Sequence, residues 1–255
     1  MDINVYGIQD PFMIAYWSAK IQVNPQDAEA YYYRGSSYFT LAAHYGSKNH
    51  KNRKNRFLDK AIADLTEAIK LNPDYSDSHY ERGRAYAEKG NSGLSAIDFN
   101  EAISQLTVDI SRTPDNATLF HKRANVYREI GNYDRALADY SNAIELNPSD
   151  HETYNDRATL YSYHQGDYGR AINDLSEVIR LSLQEGADGL SLLYGRRANL
   201  YYRMASAHSS RWARWTFCSN EYADLCNADL RAAKEARAAR AARIAREIAP
   251  KVATA

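Results

Sequence analysis

Between Ala117 and Asp150 the apolar positions fall on two helical stripes separated by a break. Phe120, Ala124 and Tyr127 stand at i, i+4 and i+7, the spacing that lines one face of an α-helix. Gly131-Asn132 interrupts the stripe, Ala136, Tyr140 and Ala143 resume it, and Leu146-Asn147-Pro148 closes it, because glycine favours a turn and proline cannot extend a helix. The segment predicts a helix, a turn and a second helix.

The same pattern recurs. Arg, then Gly or Ala, then two variable residues and Tyr appear at Arg34-Gly35 to Tyr38, Arg82-Gly83 to Tyr86, Arg123-Ala124 to Tyr127, Arg157-Ala158 to Tyr161 and Arg197-Ala198 to Tyr201. Successive Arg residues lie 48, 41, 34 and 40 apart. Such an array buries its core between neighbouring units and leaves a long surface for a partner.

The unit at 117–150 resembles the tetratricopeptide repeat, a 34-residue pair of antiparallel helices with small residues where they touch and proline at the exit. The resemblance implies an all-α, right-handed α-solenoid of antiparallel helix pairs. It divides the chain into an N-terminal half-repeat at 1–27, repeats at 28–75, 76–116, 117–150, 151–190 and 191–233, and a basic capping helix and tail at 234–255. Longer intervals place insertions at about 41–56, 104–113 and 205–220. The second repeat reaches Pro114 seven residues late, which predicts a second helix lengthened by about two turns. Leu183 stands where the fourth repeat would have proline, and Gly186 and Gly189 suggest a looser joint. The Ala-rich end is expected to remain helical until Pro250.

The family usually has an apolar residue where this chain has its five recurrent Arg residues. Each repeat also carries Asp on its second helix, at Asp64, Asp98, Asp139, Asp174 and Asp229, sixteen residues after Arg in the second and third repeats and seventeen in the fourth. Planar guanidinium suits a fixed carboxylate, so five internal ion pairs are expected in preference to a stripe binding an ionic ligand.

Ligands in the resembled family lie on the concave face made by the first helices. On this chain the matching positions give Tyr32, Tyr33, Ser36 and Phe39; Tyr80, Glu81, Arg84 and Glu88; His121, Lys122, Asn125 and Arg128; Asn155, Asp156, Thr159 and Tyr163; and Arg196, Asn199, Tyr202 and Arg203. Tyr and Arg bind with large area and little entropy loss. The resemblance thus implies a non-catalytic scaffold for a peptide or protein segment. Some relatives clamp a terminal carboxylate with Lys, Asn, Asn, Lys and Arg; here those places hold His121, Asn125, Asp156, Leu192 and Arg196, and Asp156 would repel a carboxylate.

Composition narrows the alternatives. Thirty-two basic residues balance thirty-two acidic ones, so nucleic-acid binding would need a local patch. Such patches occur at 48–56, with Lys48, His50, Lys51, Arg53, Lys54 and Arg56, and at 231–246, with Arg237, Arg240, Arg243 and Arg246. A nucleic-acid adaptor using them is the alternative function, less favoured than a solvated insertion and a polar capping face. The segment from His44 to Arg56 offers no apolar stripe and is expected to be an appendage. Trp212, Trp215 and Phe217 fit either core or contact surface.

No cofactor, metal or catalytic centre is expected. Phosphate-binding glycine loops, nucleophile elbows and zinc-protease motifs are missing; His79 falls at a packing position, His151 opens a helix, and His44 and His50 sit in the insertion. Met1 to Asp10 lacks a basic start before an apolar run, and no stretch approaches about 18 apolar residues. Cys218 and Cys226 lie in neither a CxxC motif nor a His-rich context, so reduced thiols in a cytoplasmic protein are expected.

Overall fold

Periodic apolar stripes punctuated by Gly, Asn and Pro become helices in the computed structural model, which describes residues 10–47, 50–185, 190–208 and 218–252. Among these residues there are helices and no strand. They are α1 (Asp10–Val23), α2 (Ala28–Ser47), α3 (Lys51–Leu71), α4 (Ser76–Glu88), α5 (Ser92–Arg112), α6 (Ala117–Glu129), α7 (Tyr133–Leu146), α8 (His151–Leu160), a π turn (Tyr161–Gln165), α9 (Tyr168–Gln184), α10 (Leu190–His208) and α11 (Cys218–Val252). The chain forms two compact units, Met1–Ala136 and Leu137–Ala255.

Local chemistry sets the helix ends. Gly90, Gly131 and Gly166 have φ of 79°, 77° and 65°, the left-handed conformation that glycine adopts without steric cost. Side chains of Asp27, Asn91, Asn116, Asp150 and Asp167 accept hydrogen bonds from backbone N–H groups at the starts of α2, α5, α6, α8 and α9, satisfying donors that the helices leave open. α11 runs to Val252, two residues beyond Pro250, where the sequence predicts its end; proline in the last turn has a helix-compatible φ and removes only one donor.

In unit 1, α2 packs on α3 and α4 on α5. Phe39, Ala42, Leu58, Ala61, Leu65 and Ala85 form one buried cluster, and Phe99, Ala102, Leu106 and Val126 another. The first helices approach the second closely at glycine: a Cβ on Gly83 would stand 2.8 Å from the Phe99 ring, and one on Gly35 2.9 Å from Leu65. α5 is 21 residues long and α7 is 14.

The insertion corrects the expectation of an appendage. It lengthens α2 and α3, and within the segment from His44 to Arg56 Tyr45 stacks on Phe57 with centroids 5.4 Å apart. Lys54 pairs with Glu88 on α4. The basic run conceals this contact because only part of each extended helix faces its neighbour.

In unit 2, Ala158 and Leu160 of α8 and Ala171, Leu175 and Val178 of α9 are buried, as are Ala198 of α10 and Ala233 of α11. The single extra residue between Arg157 and Gly166 is absorbed as the π turn. The closing bond runs from Asp167 N–H to the Tyr161 carbonyl, where the corresponding bonds run from Asn91 to Tyr86 and from Asn132 to Tyr127. The joint around Gly186 and Gly189 lies outside the described residues.

One polar motif recurs through both units. Nε and Nη2 of Arg34 donate to Asp64 at 2.7 and 2.7 Å, of Arg82 to Asp98 at 2.8 and 2.8 Å, of Arg157 to Asp174 at 3.0 and 2.8 Å, and of Arg197 to Asp229 at 2.8 and 2.6 Å. The remaining nitrogen, Nη1, donates to a hydroxyl on the preceding second helix or on α1: Ser18, Thr66, Ser141 and Ser176 at 3.3, 3.1, 3.0 and 2.9 Å. These hydroxyls donate in turn to carbonyls four residues earlier, those of Ile14, Ile62, Leu137 and Ile172. Arg123 reaches Thr107 at 3.1 Å within unit 1. Asp139, its expected partner, is buried within unit 2, and that pair falls on either side of the division between units.

Candidate functional site

The sequence-predicted binding residues divide between the units, each set on first helices. In unit 1, Tyr32, Tyr33 and Ser36 are on α2, Tyr80 and Arg84 on α4, and His121, Lys122 and Asn125 on α6. Packing already engages most of them. Tyr33 stacks on Trp17 of α1, with centroids 4.7 Å apart and planes at 14°, while Tyr32 lies 4.9 Å from Tyr75. Arg84 donates to Glu81 at 3.1 and 3.3 Å and lies 4.6 Å from the centre of the Phe39 ring. Lys122 Nζ donates to Asp77 at 2.7 Å, joining α6 to α4. His121 and Asn125 are within 3.4 Å of each other.

This crowding perturbs the acids. Burial, with Asp77 and Glu81 adding to it, pushes the Tyr32 phenol far up, and burial pushes Tyr80 up to about 12 against the opposing effect of Arg84. Burial also raises Glu81, although Arg84 opposes it through charge and hydrogen bonding. The phenols stay protonated at neutral pH, so on this face they offer aromatic area and hydrogen bonds.

In unit 2, Asn155 is on α8, Tyr163 on the π turn, and Arg196, Asn199 and Tyr202 on α10. Arg196 donates to Asn155 Oδ1 and, at 3.2 Å, to Thr159 Oγ1. The structure brings Tyr163, Arg196 and Asn199 to one cleft of about 470 Å³, between α8 with its π turn and α10. Ser162, Leu192, Gly195, Arg203 and Arg237 also line it, above a floor of Ala158, Leu175 and Leu200. Asn155 and Tyr202 are outside that lining. Tyr163 and Leu192, which line the cleft, are 69% and 68% exposed, and Tyr202, outside it on α10, is 65% exposed.

The sequence reading did not foresee the π turn or this cleft. The signal for the first was the spacing of seventeen, not sixteen, between Arg157 and Asp174. For the second it was Gly195, two residues before its Arg, where the earlier repeats carry Tyr32, Tyr80, His121 and Asn155.

The other sequence candidates are structural or lie elsewhere. His79 is buried between Asp98 Oδ1 and the Pro73 carbonyl, each 3.2 Å from a ring nitrogen. Arg53 lies over the Tyr45 ring at 5.5 Å. Arg237, Arg240 and Arg243 are exposed on α11, and Arg237 lines the cleft described above. Trp212, Trp215 and Phe217 lie outside the described residues. Among the described residues there is no group of three or more metal-ligating side chains, and no helix is long and apolar enough to cross a membrane.

The tetratricopeptide repeat family matches residues 117–150 and 140–173, and the TPR repeat matches 58–90. The chain carries tetratricopeptide repeats over 58–90 and 117–173. Its fold is the all-α solenoid of that family. A tetratricopeptide repeat protein from Parabacteroides merdae is similar in structure at 18% identity, over 84% of this chain and 76% of that one, with a TM-score of 0.50. Two further TPR-type structures are similar at lower scores. MamA has 18% identity over 80% and 95% of the two chains and a TM-score of 0.47; YrrB, described as a TPR protein with an unusual peptide-binding site, has 18% over 88% and 97% and a TM-score of 0.44. No relative matches among curated proteins.

Proposed function

We propose that this protein is a non-catalytic scaffold holding a protein or peptide segment on the face lined by its first helices, the concave face of the family. The carrying observation is the exposure of Tyr163 and Leu192 in the unit 2 cleft with Arg196 and Asn199, together with the exposure of Tyr202 on α10. Aromatic and Arg side chains on rigid helices supply contact area without a large ordering cost. Tyr32, Tyr33, Ser36, Tyr80, Arg84, His121, Lys122 and Asn125 are the proposed contacts within unit 1, and Asn155 is a further one within unit 2. Where these residues are fixed by neighbours, they present a pre-organised contact. The proposal places the protein in the cytoplasm, with Cys218 and Cys226 reduced.

Photo-crosslinking tests this reading. Benzoylphenylalanine at Tyr202, on the proposed face, is expected to trap a partner, and the same group at Leu183, exposed on α9, is not. Trapping from Leu183 alone would move the binding surface to the second helices.

A further inference from the structure

The unit 2 cleft has a chemical bias of its own. Among the described residues its lining includes Arg196, Arg203 and Arg237 and no Asp or Glu. The partners of the first two are neutral: Asn155 and Thr159 for Arg196, and the rings of Tyr163 and Tyr168, at 5.7 and 5.9 Å, for Arg203. By contrast, Arg84 is paired with Glu81, and Arg34, Arg82, Arg157 and Arg197 hold buried carboxylates. With equal numbers of acidic and basic residues in the whole chain, this charge is local.

The cleft exists because a side chain is missing. Gly195 occupies the register that carries Tyr32, Tyr80, His121 and Asn155 in earlier hairpins, and a Cβ built on it meets nothing within 4 Å. Beneath lie the buried apolar atoms of Ala158, Leu175 and Leu200, and at the rim stand Leu192 and Tyr163. Charged guanidinium over an apolar floor suits a carboxylate next to an aliphatic or aromatic group.

We infer that this cleft selects acidic peptide segments, seating an Asp or Glu side chain against Arg196, Arg203 and Arg237 and an adjacent apolar side chain over Leu175 and Leu200. The inference rests on the peptide-binding function proposed above. An extended peptide fits better than nucleic acid, because backbone-phosphate binding draws its strength from many neutralised charges along a strand, whereas this cleft offers three cations around an apolar floor.

Selection of the full chain against a displayed library of random twelve-residue peptides provides the test. Peptides rich in Asp and Glu beside Leu or Phe are expected. Their affinity should fall about tenfold or more in Gly195→Leu, which fills the open space, and in Arg203→Glu, which reverses the charge. Melting temperature serves as the control for folding, and the helical position of Gly195 tolerates a side chain. Selected peptides without acidic bias, or binding indifferent to both variants, would overturn the cleft assignment and leave peptide binding standing. Recovery of no peptide at all would overturn both. Binding of a labelled single-stranded RNA twelve-mer, with the same sensitivity to both variants and no acidic peptides selected, would replace the carboxylate ligand with phosphate.

Discussion

Arg157 donates from Nη1 to the Ser141 hydroxyl at 3.0 Å, sixteen residues earlier and on the preceding helix. Its other two nitrogens hold Asp174, so one guanidinium ties together α7, α8 and α9. Burial works against the Arg157 charge, but the bonds and charge of Asp174 outweigh it and raise its pKa. Arg157→Leu is expected to destabilise the fold by about 1–4 kcal/mol, because Asp174 is left buried without its cation. The loss should be smaller than additive when combined with Asp174→Leu. Ser141→Ala should cost about 0.5–1.5 kcal/mol. A double-mutant cycle by chemical denaturation measures each term; full additivity would exclude the coupling.

Gly83 and Gly195 make opposite predictions for the same change. The Cβ of Gly83→Ala would meet the Phe99 ring at 2.8 Å, so the helices must separate, at about 1–3 kcal/mol. Gly195→Ala meets open space and should stabilise by up to about 1 kcal/mol through helix propensity. Thermal melts of the two variants should move in opposite directions.

Asp98 should shape the acid limb of stability. Burial raises its pKa, but hydrogen bonds from Arg82 and His79 outweigh burial and hold it below the ordinary value. A folded pKa below the unfolded one gives stabilisation that is complete above about pH 4 and lost as pH falls through the folded value. Asp98→Asn should therefore be less stable than the parent at pH 7 and show a shallower loss on acidification. Denaturation midpoints at pH 7 and pH 3 provide the comparison.

The insertion also contributes to stability. Tyr45→Ala removes the stack on Phe57 and should lower stability by about 0.5–1.5 kcal/mol, the usual worth of an aromatic pair beyond its burial. An unchanged denaturation midpoint would return the segment to the role of a solvated extension.

Helix pairs were legible because Phe120, Ala124 and Tyr127, and their counterparts, mark buried faces at helical spacing. The ion pairs were legible because Arg and Asp recur where an apolar residue or a less specific contact would serve. The Ser and Thr hydroxyls were overlooked, since such residues are common on helix surfaces and only their relation to the next Arg distinguishes them. Tyr45 was hidden beside His44 and the basic run that follows, as a short apolar face gives little periodic signal. The cleft was harder still. It depends on absence of a side chain at Gly195, one inserted residue before Gly166, and arginines from separate helices, and none of these forms a local motif.

The affinity of a captured partner for single variants of unit 2 tests most directly whether the first-helix face does the binding. Tyr163→Ala and Tyr202→Ala remove exposed side chains and are expected to weaken binding by about 1–3 kcal/mol at the stronger site with unchanged melting temperature. Leu183→Ala, on α9, should have no effect on the titration. Binding that survives both tyrosine changes but is lost in Leu183→Ala, or on truncation after Ala233, would contradict a scaffold that works through its first helices.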